Sequence, residues 1–287
     1  MTGFTTPPLP PGRPLDLPGR GTTFIRERPG PPGAPTVLLL HGWTASADLN
    51  WFPTYAPLAR RFRVLAVDHR GHGRGIRSRE RFRLADCADD AAAVVAALGT
   101  GPVIAVGYSM GGPIAQLLWH RHRESVAGLV LCATSASFAS QAGERMAFLG
   151  VGGLAQVARV TPTAVIGRVS ERLMTGPIEQ GPFGNWVRSE LALANPRTLL
   201  EAGAAIGRFR SHDWVSQIDV PTAVVVTTAD RVVPPRRQER LAEQIPHATV
   251  HRVDGDHAVC VTGAERFVPT LRRACESVAA RAAHVPA

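Results

Sequence analysis

Lysine is absent from this sequence of 287 residues. All 32 strongly basic residues are arginines, which outnumber the 23 acidic residues and give a net charge of +9. A basic excess is typical of nucleic-acid-binding proteins, but here the arginines are scattered, and the densest stretch, 70–83, contains one aromatic residue, Phe82. An arginine-only composition with abundant Ala, Gly and Pro is typical of a GC-rich genome. We therefore predict a solvated basic surface and no nucleic-acid partner.

Long apolar runs and closely spaced cysteines are also missing. No uninterrupted apolar stretch approaches the roughly 20 residues that a membrane span needs. The proline-rich stretch from Met1 to Leu17 lacks the apolar region of a secretory signal. The four cysteines lie far apart with no C-x-x-C spacing, which argues against a zinc or redox motif. We expect a cytoplasmic protein with reduced thiols, no membrane span and no metal.

Short apolar runs alternate with helical patterns over most of the chain. Residues 1–21 form a Pro/Gly-rich arm that we expect to be a loose extension. Strands are predicted at 22–28, 36–40, 62–68, 103–106, 128–131, 222–227 and 249–253, and helices at 83–98, 113–121 and 236–244. This alternation predicts βαβ units, hence an α/β protein with a mostly parallel sheet and helices on both faces.

The alternation of strands and helices stops in the interval 134–212. This interval is apolar and punctuated by glycine, and it has no convincing buried strand. Inserted between two sheet strands, it predicts a helical cap over the carboxyl edge of the sheet, with a separate helical domain as the alternative. The expected organisation is an arm (1–21), a core (22–133 and 213–287) and a cap (134–212).

The strongest local motif is Gly107-Tyr108-Ser109-Met110-Gly111-Gly112, between a buried strand and a helix. A sharp turn at this point exposes the serine hydroxyl, and glycines two residues to either side let neighbouring backbone pass closely. The N-terminus of the following helix favours negative charge that develops nearby. The motif predicts a nucleophilic serine.

Further motifs follow other strands at the same sheet edge. His41-Gly42-Trp43 comes directly after the strand 36–40, and Asp68-His69-Arg70-Gly71-His72-Gly73 follows the next strand. The loop 227–234 contains Asp230, and Gly255-Asp256-His257 follows the last strand. With these motifs the sequence resembles the α/β-hydrolase superfamily over about 22–133 and 213–275. Within it, the sequence is most similar to serine-nucleophile esterases, enol-lactonases and cofactor-free haloperoxidase-like enzymes.

The resemblance implies a catalytic triad of Ser109, Asp230 and His257, which occur in the family's order. An imidazole would take the serine proton, and a carboxylate would orient that imidazole. The backbone N–H groups of Trp43 and Met110 would form the oxyanion hole.

Other histidines and carboxylates compete for these roles. His41 is interpreted as a structural partner of its own loop, and His69 and His72 as turn residues. Asp68 is interpreted as a turn-stabilising carboxylate for Arg70 or nearby N–H groups. Asp254 and Asp256 remain alternatives to Asp230, whereas Asp219 precedes a strand and lies at the wrong sheet edge.

The resulting hypothesis is a serine hydrolase that cleaves a small carboxylic ester, lactone or thioester through an acyl-enzyme. A C–C bond hydrolase and an acyltransferase use the same triad and remain open, as does a non-catalytic ligand-binding protein with the same pocket. The nucleophile is Ser rather than Asp, which argues against dehalogenase and epoxide hydrolase chemistry. No dinucleotide fingerprint or P-loop occurs, so no cofactor is implied.

Overall fold

One mostly parallel sheet of eight strands organises the residues that the computed structural model describes, 6–139, 142–160 and 183–283. Its order is β1-β2-β4-β3-β5-β6-β7-β8, with β1 and β2 antiparallel to their neighbours and the other pairs parallel. The strands are β1 (Gly12–Leu17), β2 (Gly21–Arg28), β3 (Thr36–Leu40), β4 (Arg63–Val67), β5 (Val103–Tyr108), β6 (Val126–Cys132), β7 (Thr222–Thr227) and β8 (Thr249–Val253). The predicted α/β class is confirmed.

Helices cover both faces of this sheet. The helices are α1 (Ala47–Trp51), α2 (Tyr55–Leu58), α3 (Leu84–Ala97), α4 (Gly111–Arg121), α5 (Ala142–Val160), α6 (Gly184–Ala192), α7 (Pro196–Arg208), α8 (Pro235–Gln244), α9 (Val259–Thr262) and α10 (Ala264–Ala282). Side chains of α3, α4 and α8 join the core on one face, and those of α1, α2 and α10 join the core on the other. Because β3 and β5 are buried along their whole length between these layers, their sequences are almost entirely apolar.

The N-terminal arm differs from the expectation. Its second half is strand β1, which pairs with β2 from Gly12↔Arg26 to Leu17↔Gly21. Leu17 is buried in the core, and Arg20 donates to Asp90 (2.6 Å). The prediction of a loose extension was wrong because Pro14 lies in an edge strand, where its missing N–H costs no sheet hydrogen bond.

The interval 134–212 contains α5, α6 and α7 in its described parts, and residues 140–141 and 161–182 lie outside them. Two of these helices are tied to the core by side chains. Glu190 of α6 accepts a hydrogen bond from the hydroxyl of Ser46 (2.7 Å), and the carbonyl of Leu199 in α7 accepts one from the indole N–H of Trp43 (2.8 Å).

Candidate active site

Ser109 occupies a strained turn between β5 and α4, which we call the elbow. Its φ is +51°, a left-handed conformation that is costly for a residue with a Cβ atom. The neighbouring glycines are required by space: a Cβ at Gly107 would lie 2.2 Å from the carbonyl oxygen of Gly111, and one at Gly111 would lie 2.0 Å from that of Leu40. The turn therefore explains the spacing of the motif, and the fold maintains the strain.

The structure brings together the three side chains that the sequence singled out. His257 accepts the hydroxyl of Ser109 at Nε2, with 2.9 Å between Nε2 and Oγ. Its Nδ1–H donates to Oδ2 of Asp230 across 2.7 Å. The three residues come from the carboxyl ends of β5, β7 and β8, which lie at one sheet edge because these strands are parallel.

Asp230 is held as a buried carboxylate with many donors. Its Oδ1 accepts the backbone N–H groups of Val232 (2.8 Å) and Val233 (2.9 Å), and its Oδ2 accepts the hydroxyl of Thr227 (2.8 Å) besides His257. Burial by itself would raise the pKa of Asp230, but these hydrogen bonds and the charge of His257 outweigh it and lower the pKa. The side chain is therefore charged at neutral pH and can stabilise an imidazolium.

The loop after β3 lies directly against the elbow. A Cβ on Gly42 would be 3.4 Å from Cβ of Ser109, and the Gly42 N–H donates to Oδ1 of Asn50 (2.8 Å). Within the described residues, the backbone N–H groups of Trp43 and Met110 donate to no protein acceptor. Two unused amides beside a hydroxyl are the elements from which an oxyanion hole is built.

Three buried histidines are not part of the hydrogen-bonded group of Ser109, His257 and Asp230. The Nδ1–H of His41 donates to the carbonyl of Gly42 (2.8 Å), and its Nε2 accepts the N–H of His69 (3.0 Å). Burial lowers the pKa of His41 to about 4 and that of His72 to about 3, and it holds the pKa of His69 well below its usual value. His41 therefore connects the loops after β3 and β4 as a neutral ring.

The competing carboxylates point elsewhere. Asp68 accepts the N–H groups of Ala47 (2.7 Å) and Arg74 (2.8 Å), so it stabilises a turn as predicted, whereas Arg70 pairs with Asp90 (2.7 Å) instead. Asp254 accepts the hydroxyl of Thr228, Asp256 accepts the N–H of Ala258, and both side chains are exposed. Asp219 accepts the indole N–H of Trp119 (2.9 Å) at the opposite sheet edge.

A second serine–histidine pair lies outside this group. The hydroxyl of Ser137 and Nε2 of His212 are 3.0 Å apart, but Nδ1 of that histidine faces the amide of Gln244 (3.3 Å) rather than a carboxylate. Ser137 lies five residues beyond the end of β6 rather than directly after a strand, as Ser109 does. This pair lacks the orienting group that a serine nucleophile requires.

Three supporting residues escaped the sequence analysis. The hydroxyl of Tyr108 donates to the carbonyl of His257 (2.8 Å), and Asn50 holds the loop after β3. The amide Nε2 of Gln238 donates to Oγ1 of Thr227 (2.8 Å) and to Oδ2 of Asp230 (3.3 Å). The only available signal was a polar residue at a buried position of an amphipathic helix, as for Gln238 in α8.

Comparison with known proteins agrees with the fold described above. The family model of the alpha/beta hydrolase fold matches residues 35–264. A pimeloyl-[acyl-carrier protein] methyl ester esterase from Neisseria meningitidis serogroup B is 31% identical over 225 residues, covering 77% of this chain and 84% of that protein. The chain belongs to the α/β-hydrolase family. It is an enzyme of the esterase type.

Two further proteins extend the comparison. A non-heme haloperoxidase from Rhodococcus erythropolis is 30% identical over 213 residues, covering 69% of this chain and 76% of that protein. The crystal structure of the enol-lactonase from Burkholderia xenovorans LB400 superimposes with a TM-score of 0.73 at 22% identity, covering 90% of this chain and 98% of that one. At this identity the second comparison supports the shared fold alone.

Two structural features are absent from the described residues of this α/β-hydrolase. No helix there combines the length and apolar character that a bilayer span requires. Across the same residues, no group of three or more His, Cys, Asp or Glu side chains is arranged to hold a metal ion.

Proposed function

We propose that this chain is a serine hydrolase that cleaves a small carboxylic ester, lactone or thioester with Ser109 as nucleophile. The observation that carries the proposal is the continuous hydrogen-bond chain from Ser109 through His257 to Asp230, with contacts of 2.9 and 2.7 Å. A serine hydroxyl is a weak nucleophile unless an adjacent base takes its proton, and this arrangement supplies the base and its orienting carboxylate.

Residues of the candidate site can carry out each step of this reaction. As Oγ of Ser109 bonds to the substrate carbonyl carbon, its proton moves to Nε2 of His257, and the oxyanion accepts the N–H groups of Trp43 and Met110. The bond to the leaving alcohol or thiol then breaks, and that group takes the proton from His257. Water attacks the acyl-enzyme with His257 as base, which releases the acid and restores the serine.

The substrate class rests on both site and relatives. The donors beside Ser109 suit a carbonyl oxygen that becomes negative, which is common to esters, lactones and thioesters. Relatives named as a methyl ester esterase and a haloperoxidase share about 30% of the aligned residues. We also infer a reducing compartment such as the cytoplasm, because Cys87, Cys132, Cys260 and Cys275 are all buried free thiols.

The test combines covalent labelling with turnover. A fluorophosphonate probe should label the wild-type protein at Ser109, and p-nitrophenyl acetate and a lactone panel should be hydrolysed. Ser109→Ala should abolish labelling and lower kcat by roughly a million-fold, because the nucleophile is gone. Product analysis with an added alcohol separates hydrolysis from acyl transfer, and a vinylogous 1,5-diketone in the panel tests C–C bond cleavage.

Ser137→Ala is the matched control. It removes a hydroxyl that also lies 3.0 Å from a histidine nitrogen. The other ring nitrogen of that histidine faces an amide and not a carboxylate. This variant should retain wild-type labelling and kcat. Full activity in a folded Ser109→Ala variant would contradict the proposal, and labelling without any turnover would indicate a ligand-binding protein.

A further inference from the structure

The side chain of Trp43 connects the loop after β3 to helix α7 of the predicted cap. Its indole N–H donates to the carbonyl oxygen of Leu199 in α7 across 2.8 Å, a contact between residues 156 positions apart in the chain. The backbone of the same residue supplies the amide that lies free beside the elbow. One residue therefore contributes its main chain to the candidate oxyanion hole and its side chain to the cap.

A glycine in α7 makes room for this ring. A Cβ atom at Gly203 would lie 2.6 Å from Cζ2 and 3.0 Å from Cη2 of Trp43, distances at which the ring or the helix must move. Leu199 and Gly203 are four residues apart and so occupy the same face of the helix. The indole thus lies against one turn of α7, with a hydrogen bond at one end and close packing at the other.

The Trp43 amide is held partly by its own loop. The carbonyl of Gly42, in the same peptide plane as the Trp43 N–H, accepts a hydrogen bond from Nδ1–H of His41 (2.8 Å). Gly42 is held by Asn50, and Thr44 adopts a left-handed φ of +65° that its side chain disfavours. Between these two residues, the N–H of Trp43 makes no hydrogen bond within the described chain. Its direction is therefore set by His41 on the Gly42 side and by the anchored indole on the Trp43 side.

We propose that Leu199 and Gly203 of α7 are positioning residues for the oxyanion donor at Trp43. The inference rests on the proposed function. The cap then contributes to the chemical step through Trp43, because a displacement of α7 carries the indole and turns the amide away from the developing negative charge. Interactions that are made only in the transition state change kcat rather than KM.

Trp43→Phe tests the hydrogen bond. It removes the indole N–H but retains an aromatic ring, and the carbonyl of Leu199 keeps its acceptor role within the helix. Loss of a single oxyanion donor costs roughly a hundred- to a thousand-fold in kcat. A displaced donor should cost less, so we expect a kcat lower by about ten- to a hundred-fold, with KM within about two-fold of wild type.

Gly203→Ala tests the packing independently. The new methyl group should push the indole away and lower kcat in the same direction. Phenylalanine lacks the ring atoms that the methyl group would meet, which leaves Cγ1 of Val151 (3.0 Å) as its close neighbour. Gly203→Ala should therefore lower kcat clearly less in combination with Trp43→Phe than it does alone. This non-additive result in a double-mutant cycle is the signature of a shared contact.

Trp119→Phe is the matched control, because it removes an indole hydrogen bond of 2.9 Å to Asp219 at the opposite sheet edge. It should lower the melting temperature and leave kcat unchanged.

Assays are run well below the melting temperature of each variant. An unlabelled, inactive wild type overturns the proposed function. A labelled, active wild type with equal kcat in Trp43→Phe, or additive effects in the cycle, overturns the positioning role alone.

Discussion

At the scale of single residues, the candidate site is defined by how its carboxylate is held. Asp230 sits in a shell of donors from its own loop, and Gln238 of α8 reaches both Asp230 and Thr227. These contacts keep the side chain ionised and aimed at Nδ1 of His257. Neither Asp254 nor Asp256 has such a shell, since both are exposed.

Replacement of the carboxylate tests this assignment. Asp230→Asn should preserve the fold and lower kcat by about ten-thousand-fold, because an amide favours the wrong tautomer of the imidazole. The measurement is steady-state kinetics on p-nitrophenyl acetate. Asp254→Asn and Asp256→Asn make the same chemical change on neighbouring exposed residues and should stay close to wild type. A larger loss in either of them would identify a different acid.

The sequence predicted these catalytic candidates because each follows a predicted strand. Ser109 and Asp230 follow β5 and β7, whose apolar runs are visible without a structure, whereas His257 follows β8, whose pattern is less clear because only its last residue is buried. Asn50 could not be predicted in the same way. It lies in the five-residue helix α1, too short to show helical periodicity. Its partner, the N–H of Gly42, is a backbone group, and side-chain patterns do not reveal how such groups pair.

At the scale of elements, the N-terminal strand shows where composition misleads. Proline and glycine in the first 21 residues favour an extended arm, yet β1 forms the sheet edge and α3 packs near it. Arg20 reaches Asp90 (2.6 Å) and the carbonyl of Asp86 (3.0 Å), both on α3. The sheet edge and this ion pair depend on tertiary contacts, which local propensity does not report.

Removal of β1 should therefore destabilise the enzyme. Deletion of residues 1–20 removes the buried side chain of Leu17 and the ion pair of Arg20, so we expect a lower melting temperature by differential scanning calorimetry. Leu17→Ala in the full chain should cost about 2–5 kcal/mol in the free energy of unfolding. Arg13→Ala, at an exposed position of the same strand, is the control and should cost little. Equal melting temperatures for the truncated and full-length proteins would restore the view of a loose arm.

At the scale of the whole molecule, stability depends on keeping three histidines neutral. The ring centroids of His41 and His69 lie 4.2 Å apart and those of His41 and His72 lie 5.5 Å apart, and all three side chains are buried within the loops that follow β3 and β4. Nε2 of His69 and Nε2 of His72 have no hydrogen-bond partner within the described residues. A proton on one ring would be desolvated and would repel charge on the others.

This cluster predicts a loss of stability in weak acid. The unfolded chain takes up protons near pH 6.5, whereas burial lowers the native pKa of His41 to about 4 and that of His72 to about 3. Below pH 6.5 the unfolded state therefore binds more protons, and the free energy of unfolding should fall as the pH falls from 6.5 towards 4. Each such histidine contributes up to about 1.4 kcal/mol per pH unit.

Two buried carboxylates act in the opposite sense. Burial raises the pKa values of Asp68 and Glu190, so their protonation favours the native state as the pH falls.

The pH dependence of the free energy of unfolding combines both effects, and a comparison of variants isolates the contribution of the histidines. His72→Leu removes one neutral buried ring, so its denaturant-derived free energy of unfolding should fall less steeply than that of wild type between pH 6.5 and 4. His247→Asn, a change at an exposed histidine, is the control and should follow the wild-type slope. If His72→Leu shows the wild-type slope as well, the cluster does not carry the acid sensitivity.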